Sequence, residues 1–156
     1  MQKYLIVFLI SMVPILELRG AIPIALGMDM NPVVAYVLCV LGNMVPVPII
    51  YFFARKFLIW GARQRYIGKL CGFFLRKGEQ AGQKLVAKTG RGGLFLSLML
   101  FVAIPIPGTG AWTGTLGASF LDMGFKSAVA AVSLGVILAG VIMALGSAGA
   151  FSIIGM

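Results

Sequence analysis

The apolar residues of this chain fall into four long stretches, two on each side of a basic middle. Stretch A covers residues 4–28 and is interrupted by Glu17-Leu18-Arg19-Gly20. Stretch B covers 33–54 and carries no charge. Stretch C covers 94–120, again uncharged, but broken by Pro105-Ile106-Pro107-Gly108-Thr109-Gly110. Stretch D covers 127–155, uncharged and rich in Gly and Ala. A helix needs roughly 20 apolar residues to cross a hydrocarbon core of about 30 Å, so B and D are long enough to span a bilayer. A and C each open with a short half, 4–16 and 94–104. At about 1.5 Å per residue such a half reaches only part-way through. Breaks at that depth are tolerated where protein or a water-filled cavity covers them. A and C therefore read as re-entrant hairpins, with full spans as the alternative.

The order is broken, whole, basic, broken, whole. If both broken stretches return to the side they left, B alone crosses between them, and the second unit starts from the opposite face. The predicted fold is an all-α integral membrane protein of two inverted repeats, each a re-entrant helical hairpin plus a transmembrane helix, joined by a basic amphipathic helical loop. Repeat one is 1–54, the basic segment 55–92 and repeat two 93–156, within a single membrane domain. Interrupted segments at matching positions of two halves are a pointer to a transporter's binding site.

Charge orients this arrangement. Residues 55–91 hold ten basic residues against one acid, Glu79, while Lys3, Arg19 and Lys126 elsewhere are matched by Glu17, Asp29 and Asp122. The whole net charge of +9 therefore sits in the middle. The positive-inside rule places that segment in the cytoplasm. Phe57, Trp60, Ile67, Leu70, Cys71 and Phe74 recur there at helical steps between basic residues, as in amphipathic helices lying on a membrane surface. Arg55, Lys56, Arg63, Arg65 and Lys69 are its candidate contacts with anionic lipid headgroups. Nucleic acid is the rival partner of a basic, aromatic segment, and the apolar spans on both sides argue against it.

Composition agrees with a membrane location: 60% of the 156 residues are hydrophobic and 11% charged, against about 45–50% and about 25% in soluble domains. The absence of His removes the usual general base. Cys39 and Cys71 have no neighbouring ligand for a structural zinc, which takes about four. No enzyme activity, metal or cofactor is expected. The start of the chain offers no A-x-A-like cleavage site after its first apolar run, so it reads as a membrane segment rather than a cleaved signal peptide.

Chemistry then concentrates in the breaks. A charge at the centre of a membrane helix costs about 2.5–3.5 kcal/mol, so Glu17 and Arg19 must face protein or water. They are too close in sequence to stack on one helical face, but in a bent break they can meet each other or partners from stretch C. Glu17 is the acid placed to carry a proton at depth; the alternative is a structural pair that stabilises the bend. Pro23 suits the first turn of a returning half-helix, whose N-terminus would favour an anion. In stretch C, Pro105 and Pro107 remove backbone donors, Gly108 and Gly110 permit close approach, and Thr109 and Trp112 supply hydrogen-bonding groups; Trp112 alternatively anchors at the interface. Asn43, with Pro46 and Pro48, predicts a kink in B and a hydrogen bond from Asn43 to a break, or helix packing alone. Small residues at 131, 135 and 139, and at 140, 144 and 148, fit close helix packing within one chain or in a homo-oligomer.

Glu17–Leu26 (ELRGAIPIAL), together with Ala103–Ala118 (AIPIPGTGAWTGTLGA), resembles the small multidrug export proteins of prokaryotes, over most of the chain. That family looks like a branch of the DedA/VTT-type superfamily, whose members are thought to carry two opposed re-entrant hairpins, each followed by a transmembrane helix. The resemblance matches Glu17, Arg19, Gly20 and Pro23 to the first motif, and Pro105, Pro107, Gly108, Thr109, Gly110 and Trp112 to the second. It implies a prokaryotic inner-membrane protein. The combined expectation is a small proton-coupled exporter of a small molecule or lipid, with its site between the breaks and Asn43 beside it. A DedA-like lipid flippase or scramblase, and a non-transporting scaffold that binds anionic lipid or partners through the basic segment, are the alternatives.

Overall fold

The computed structural model describes residues 2–14, 16–106 and 109–154. Their regular structure is helical: α1 (Gln2–Met12), α2 (Glu17–Gly27), α3 (Pro32–Met44), α4 (Pro46–Ala62), α5 (Gly68–Ala103), α6 (Ala111–Phe120) and α7 (Phe125–Ile154). Asn31 caps α3, its side-chain oxygen accepting from the Val33 and Val34 N–H groups at 3.0 and 3.4 Å, with Pro32 in the first turn. The predicted interruption of stretch B falls at Val45, where Pro46 ends one helix and opens the next. Val45 keeps right-handed helical dihedrals, and Pro32–Ala62 forms an apolar span of 31 residues. α5 ends where Ile104 turns extended before Pro105, since the residue before a proline is driven out of the helical region.

Among the described residues three spans are long and apolar enough to cross a membrane: Pro32–Ala62, Val86–Ala103 and Phe125–Ala150. Large apolar side chains face outward along them, Val33 at 70%, Phe53 at 68% and Leu145 at 70% exposure. A surface this apolar suits lipid and not water. The protein is a multi-pass membrane protein. The 11-residue α1 and α2 are each only about 16 Å long.

Two expectations are corrected here. The short half-helix expected over 94–104 is the end of a longer element: helical structure runs back to Gly68, interrupted at Gly90 (φ 72°, ψ 176°), and Val86–Ala103 is itself of spanning length. Only Gly enters that backbone region freely, so the break falls at that residue and no earlier residue stops the helix. The basic segment is likewise not a separate loop. Arg55 and Lys56 belong to α4, Arg63 and Arg65 to the short turn after it, and Lys69 to α5. Phe57 and Trp60 are exposed on the end of α4, while Cys71 is buried close to Gly61. The Phe74 side chain lies outside the described residues.

α1 packs on α2 and α3, and α5 on α6 and α7. The long spans cross these pairs in opposite senses. α3 starts beside the α1–α2 opening, where the Lys3 ammonium donates to the Met28 carbonyl at 3.4 Å. It passes α1 at Gly42, so tightly that a Cβ there would lie 2.7 Å from the Phe8 carbonyl. α4 then reaches the turn after α6, where the Tyr51 hydroxyl donates to the Met123 carbonyl and Arg55 pairs with Asp122. α7 begins at that turn. It passes α5 at Gly135, where a Cβ would lie 2.7 Å from the Met99 carbonyl, and ends with Ala148 beside Asp29 and Asn31. Of the small residues of stretch D, Ala131 and Ala139 are buried and Gly140 lies against Tyr36 and Leu18, whereas Ala148 is exposed.

The turns after α2 and α6 are the same structure, 93 positions apart. Asp29 and Asp122 both take positive φ, 52° and 55°. The N–H of Met30 bonds to the Ala25 carbonyl at 3.1 Å, and that of Met123 to the Ala118 carbonyl at 3.0 Å. Asp29 and Asp122 donate to Leu26 and Ser119. Both ends are Schellman caps with Asp where Gly is usual, and in both the next residue, Met, is buried. The same spacing relates the starts of α3 and α7 (32 and 125), the ends of α2 and α6 (27 and 120), and the close-packed Gly42 and Gly135.

Candidate functional site

The broken segments meet tip to tip. α1 ends at Met12, and the chain re-enters helix at Glu17 with φ 48°, a backbone conformation that costs a non-glycine residue about 1–3 kcal/mol. That turn carries the Glu17 side chain out of its own hairpin and onto the first turn of α6. Its carboxylate accepts the Trp112 N–H at 3.2 Å, faces the Ala111 N–H as well, and is 4% exposed. α6 has no side-chain cap of its own, because the cap position is Gly110. A Cβ on Gly110 would fall inside the Glu17 carboxylate. Glu17 thus caps α6 from the other hairpin, an anion at a helix N-terminus.

Arg19 treats the other broken end in the complementary way. Its Nη2 donates to the Ile104 carbonyl and the Thr109 hydroxyl, both at 3.0 Å, with the Val102 carbonyl at 3.5 Å. Thr109 Oγ1 is 2.7 Å from the Ile104 carbonyl and 2.9 Å from that of Ile106. These carbonyls follow the last turn of α5, where helical partners run out and a cation is favoured. The exchange is reciprocal: the Trp112 indole N–H donates to the Met12 carbonyl at 3.1 Å. Hydrogen bonds to charged groups contribute about 1.5–3 kcal/mol each, so these contacts offset the cost of withdrawing two charges from water.

The remaining predicted residues are placed as follows. Gly20 packs on Leu16 and is half-buried. Pro23 lies inside α2, not in its first turn, because Glu17 already opens the helix; the helix N-terminus that receives an anion is that of α6. Asn43 is fully buried, with neither amide atom bonded, so the bond expected to a break is not made. Its neighbour Gly42 lies against Ser11, next to the end of α1. Pro105 sits in the extended exit from α5. Pro107 and Gly108 lie outside the described residues. Trp112 joins the hairpins and also lines an apolar groove with Phe53, Phe57 and Leu116. Arg55, a predicted lipid contact, is committed to Asp122.

Sequence reasoning missed the Met12 carbonyl and the Arg55–Asp122 pair. The recurrence of Asp-Met at 29 and 122 was the available signal for the second of these, since it marks equivalent turns.

Comparison with curated proteins and with solved structures gave no match. The family model described as "Putative small multi-drug export protein" matches residues 17–142. The match begins at Glu17 and contains both charged side chains of the first tip and the whole of the second. With most of its length matched, the chain belongs to this small multi-drug export family.

Proposed function

We propose that the protein is a small proton-coupled exporter, whose substrate passes between two opposed re-entrant hairpins and whose coupling proton is carried by Glu17. The family description supports export by a membrane transporter. The observation that carries the finer reading is the Glu17 carboxylate itself: nearly fully buried, and held not by its own segment but by the first turn of α6. A proton on Glu17 removes the charge that holds the two tips together, so protonation and opening are linked. The inverted-repeat reading is supported by the 93-residue correspondence, by the opposite senses of α3–α4 and α7, and by the short arms α1 and α2. The basic segment, with Arg63, Arg65 and Lys69 exposed at its surface, fits the cytoplasmic face of a prokaryotic inner membrane.

Topology is testable first. A cysteine replacing Lys3 is expected to react with a membrane-impermeant maleimide in intact cells, and one replacing Arg65 only after lysis. The reverse pattern sinks the proposed orientation, and labelling of both positions only after lysis sinks the paired hairpins.

Transport tests the coupling. In proteoliposomes carrying a fluorescent organic cation, wild-type protein is expected to move the dye under an imposed pH gradient. Glu17→Gln keeps the shape and a hydrogen-bonding oxygen for α6 but removes titration, so gradient-driven flux should fall to that of protein-free vesicles while the protein stays folded. Gradient-dependent flux at the wild-type rate by folded Glu17→Gln protein would return Glu17 to a purely structural role.

A further inference from the structure

The matched halves differ at their mouths, and the difference points to a ligand. At the second mouth, after α6, Asp122 is paired with the Arg55 guanidinium, and the Tyr51 hydroxyl closes on the Met123 carbonyl. Arg91 and Asp122 both line a cavity of about 380 Å³. Asp122 is thus bonded to one guanidinium and shares a cavity with a second arginine.

At the first mouth the same turn, with the same Asp conformation, is left open. Positions 93 beyond Tyr51 and Arg55 are Ala144 and Ala148. Ala148 lines a cavity of about 480 Å³ with Leu26, Asp29, Met30, Asn31 and Pro32. Asp29 is the charged residue of that lining, and no ion pair to it is formed among the described residues. Lys3 of α1 directs its ammonium to the carbonyl of Met28, the residue before Asp29. Asn31 is occupied in capping α3. The chain fills one of its two equivalent carboxylate sites with its own guanidinium and truncates the filling residue to Ala at the other.

We propose that the first mouth binds an organic cation bearing a guanidinium or ammonium group, which takes at Asp29 the place that Arg55 takes at Asp122. The cavity exceeds the volume of such a headgroup, and Leu26, Met30 and Pro32 supply apolar wall for its substituent, as pockets that fix a ligand with few polar groups do. The inference rests on the matched halves and not on transport. Binding is read on purified protein, so it fails or holds separately from the role of Glu17.

The probe is fluorobenzylguanidinium, followed by fluorine NMR on protein in lipid nanodiscs, with the neutral fluorobenzylurea as control. Saturable binding of the cation and not of the urea is expected. Asp29→Asn retains a residue that tolerates positive φ, and should weaken binding about tenfold or more, as loss of a charged hydrogen-bond partner does. Ala148→Arg should abolish binding by supplying the missing guanidinium, and Lys3→Gln should tighten it by removing a competing cation. Arg55→Ala combined with Arg91→Ala should open a second site at Asp122 and raise the stoichiometry from one to two. Equal binding of cation and urea, or cation binding unchanged in Asp29→Asn, overturns the proposal. Ammonium and guanidinium headgroups are distinguished by competition with methylammonium and methylguanidinium.

Discussion

Gly110→Ala should unseat the two hairpins from each other, although it adds a single methyl group. The new Cβ occupies the position of the Glu17 carboxylate. That carboxylate cannot retreat along its own segment, since Glu17 is held at φ 48° by the turn after α1. It has to leave the Trp112 N–H, and an uncompensated charge then remains at depth beside an uncapped helix. Breaking one side of a buried charge arrangement typically costs about 3–5 kcal/mol, and we expect a loss of that size in unfolding of the purified protein in micelles. The cause is separable from an ordinary Gly→Ala effect. In a Glu17→Ala background the carboxylate is gone, and Gly110→Ala should then cost about 1 kcal/mol or less. The coupling between the two substitutions is the measured quantity. Additive losses would show that the clash is not between these two groups.

Arg19 gives the second large effect, in a form that separates charge from shape. A planar, two-pronged guanidinium contact would make Lys a poor substitute. The fold shows otherwise: a single nitrogen, Nη2, serves both Ile104 and Thr109, and Nε is buried without a partner. An ammonium can donate to two acceptors from one atom, and Lys has no second buried donor to leave unsatisfied. Arg19→Lys should therefore stay within about 1 kcal/mol of wild type in the same unfolding measurement, whereas Arg19→Met, which leaves the carbonyls after α5 without their cation, should lose about 3 kcal/mol or more. A Lys variant as damaged as the Met variant would restore the fork reading.

How much of this was legible beforehand follows the range of the interactions involved. Local chemistry was readable: Pro105 ending α5, the Pro46 interruption and the similar order of the two halves are written in neighbouring residues, but the first break was placed one turn late, since residues 17–20 open α2 and the interruption precedes Glu17. The extent of α5 was not, because its basic residues hide a helix that only Gly90 interrupts. Pro23 misled for a related reason. A proline reads as a helix start, yet α2 opens six residues earlier at a residue in an unusual conformation that no propensity favours. The partners of Glu17 and Arg19 lie 85–95 residues away, and no local pattern specifies which helix end receives which charge. Arg55 looked like one more cation in a basic run, and only the equivalence of Asp29 and Asp122 distinguishes it.

The same long separation has a consequence in time. A ribosome adds about 5–20 residues per second, so roughly 5–20 s pass between the emergence of Glu17 and that of the helix end it caps. Through that interval the first hairpin carries an acid and a base that nothing later in the chain has yet reached. Its final seating is therefore a late step of biogenesis, completed when the second tip arrives. A chain truncated before Gly110 would present the membrane with a charged hairpin that has no counterpart, which is the kind of feature by which unassembled segments are recognised and removed.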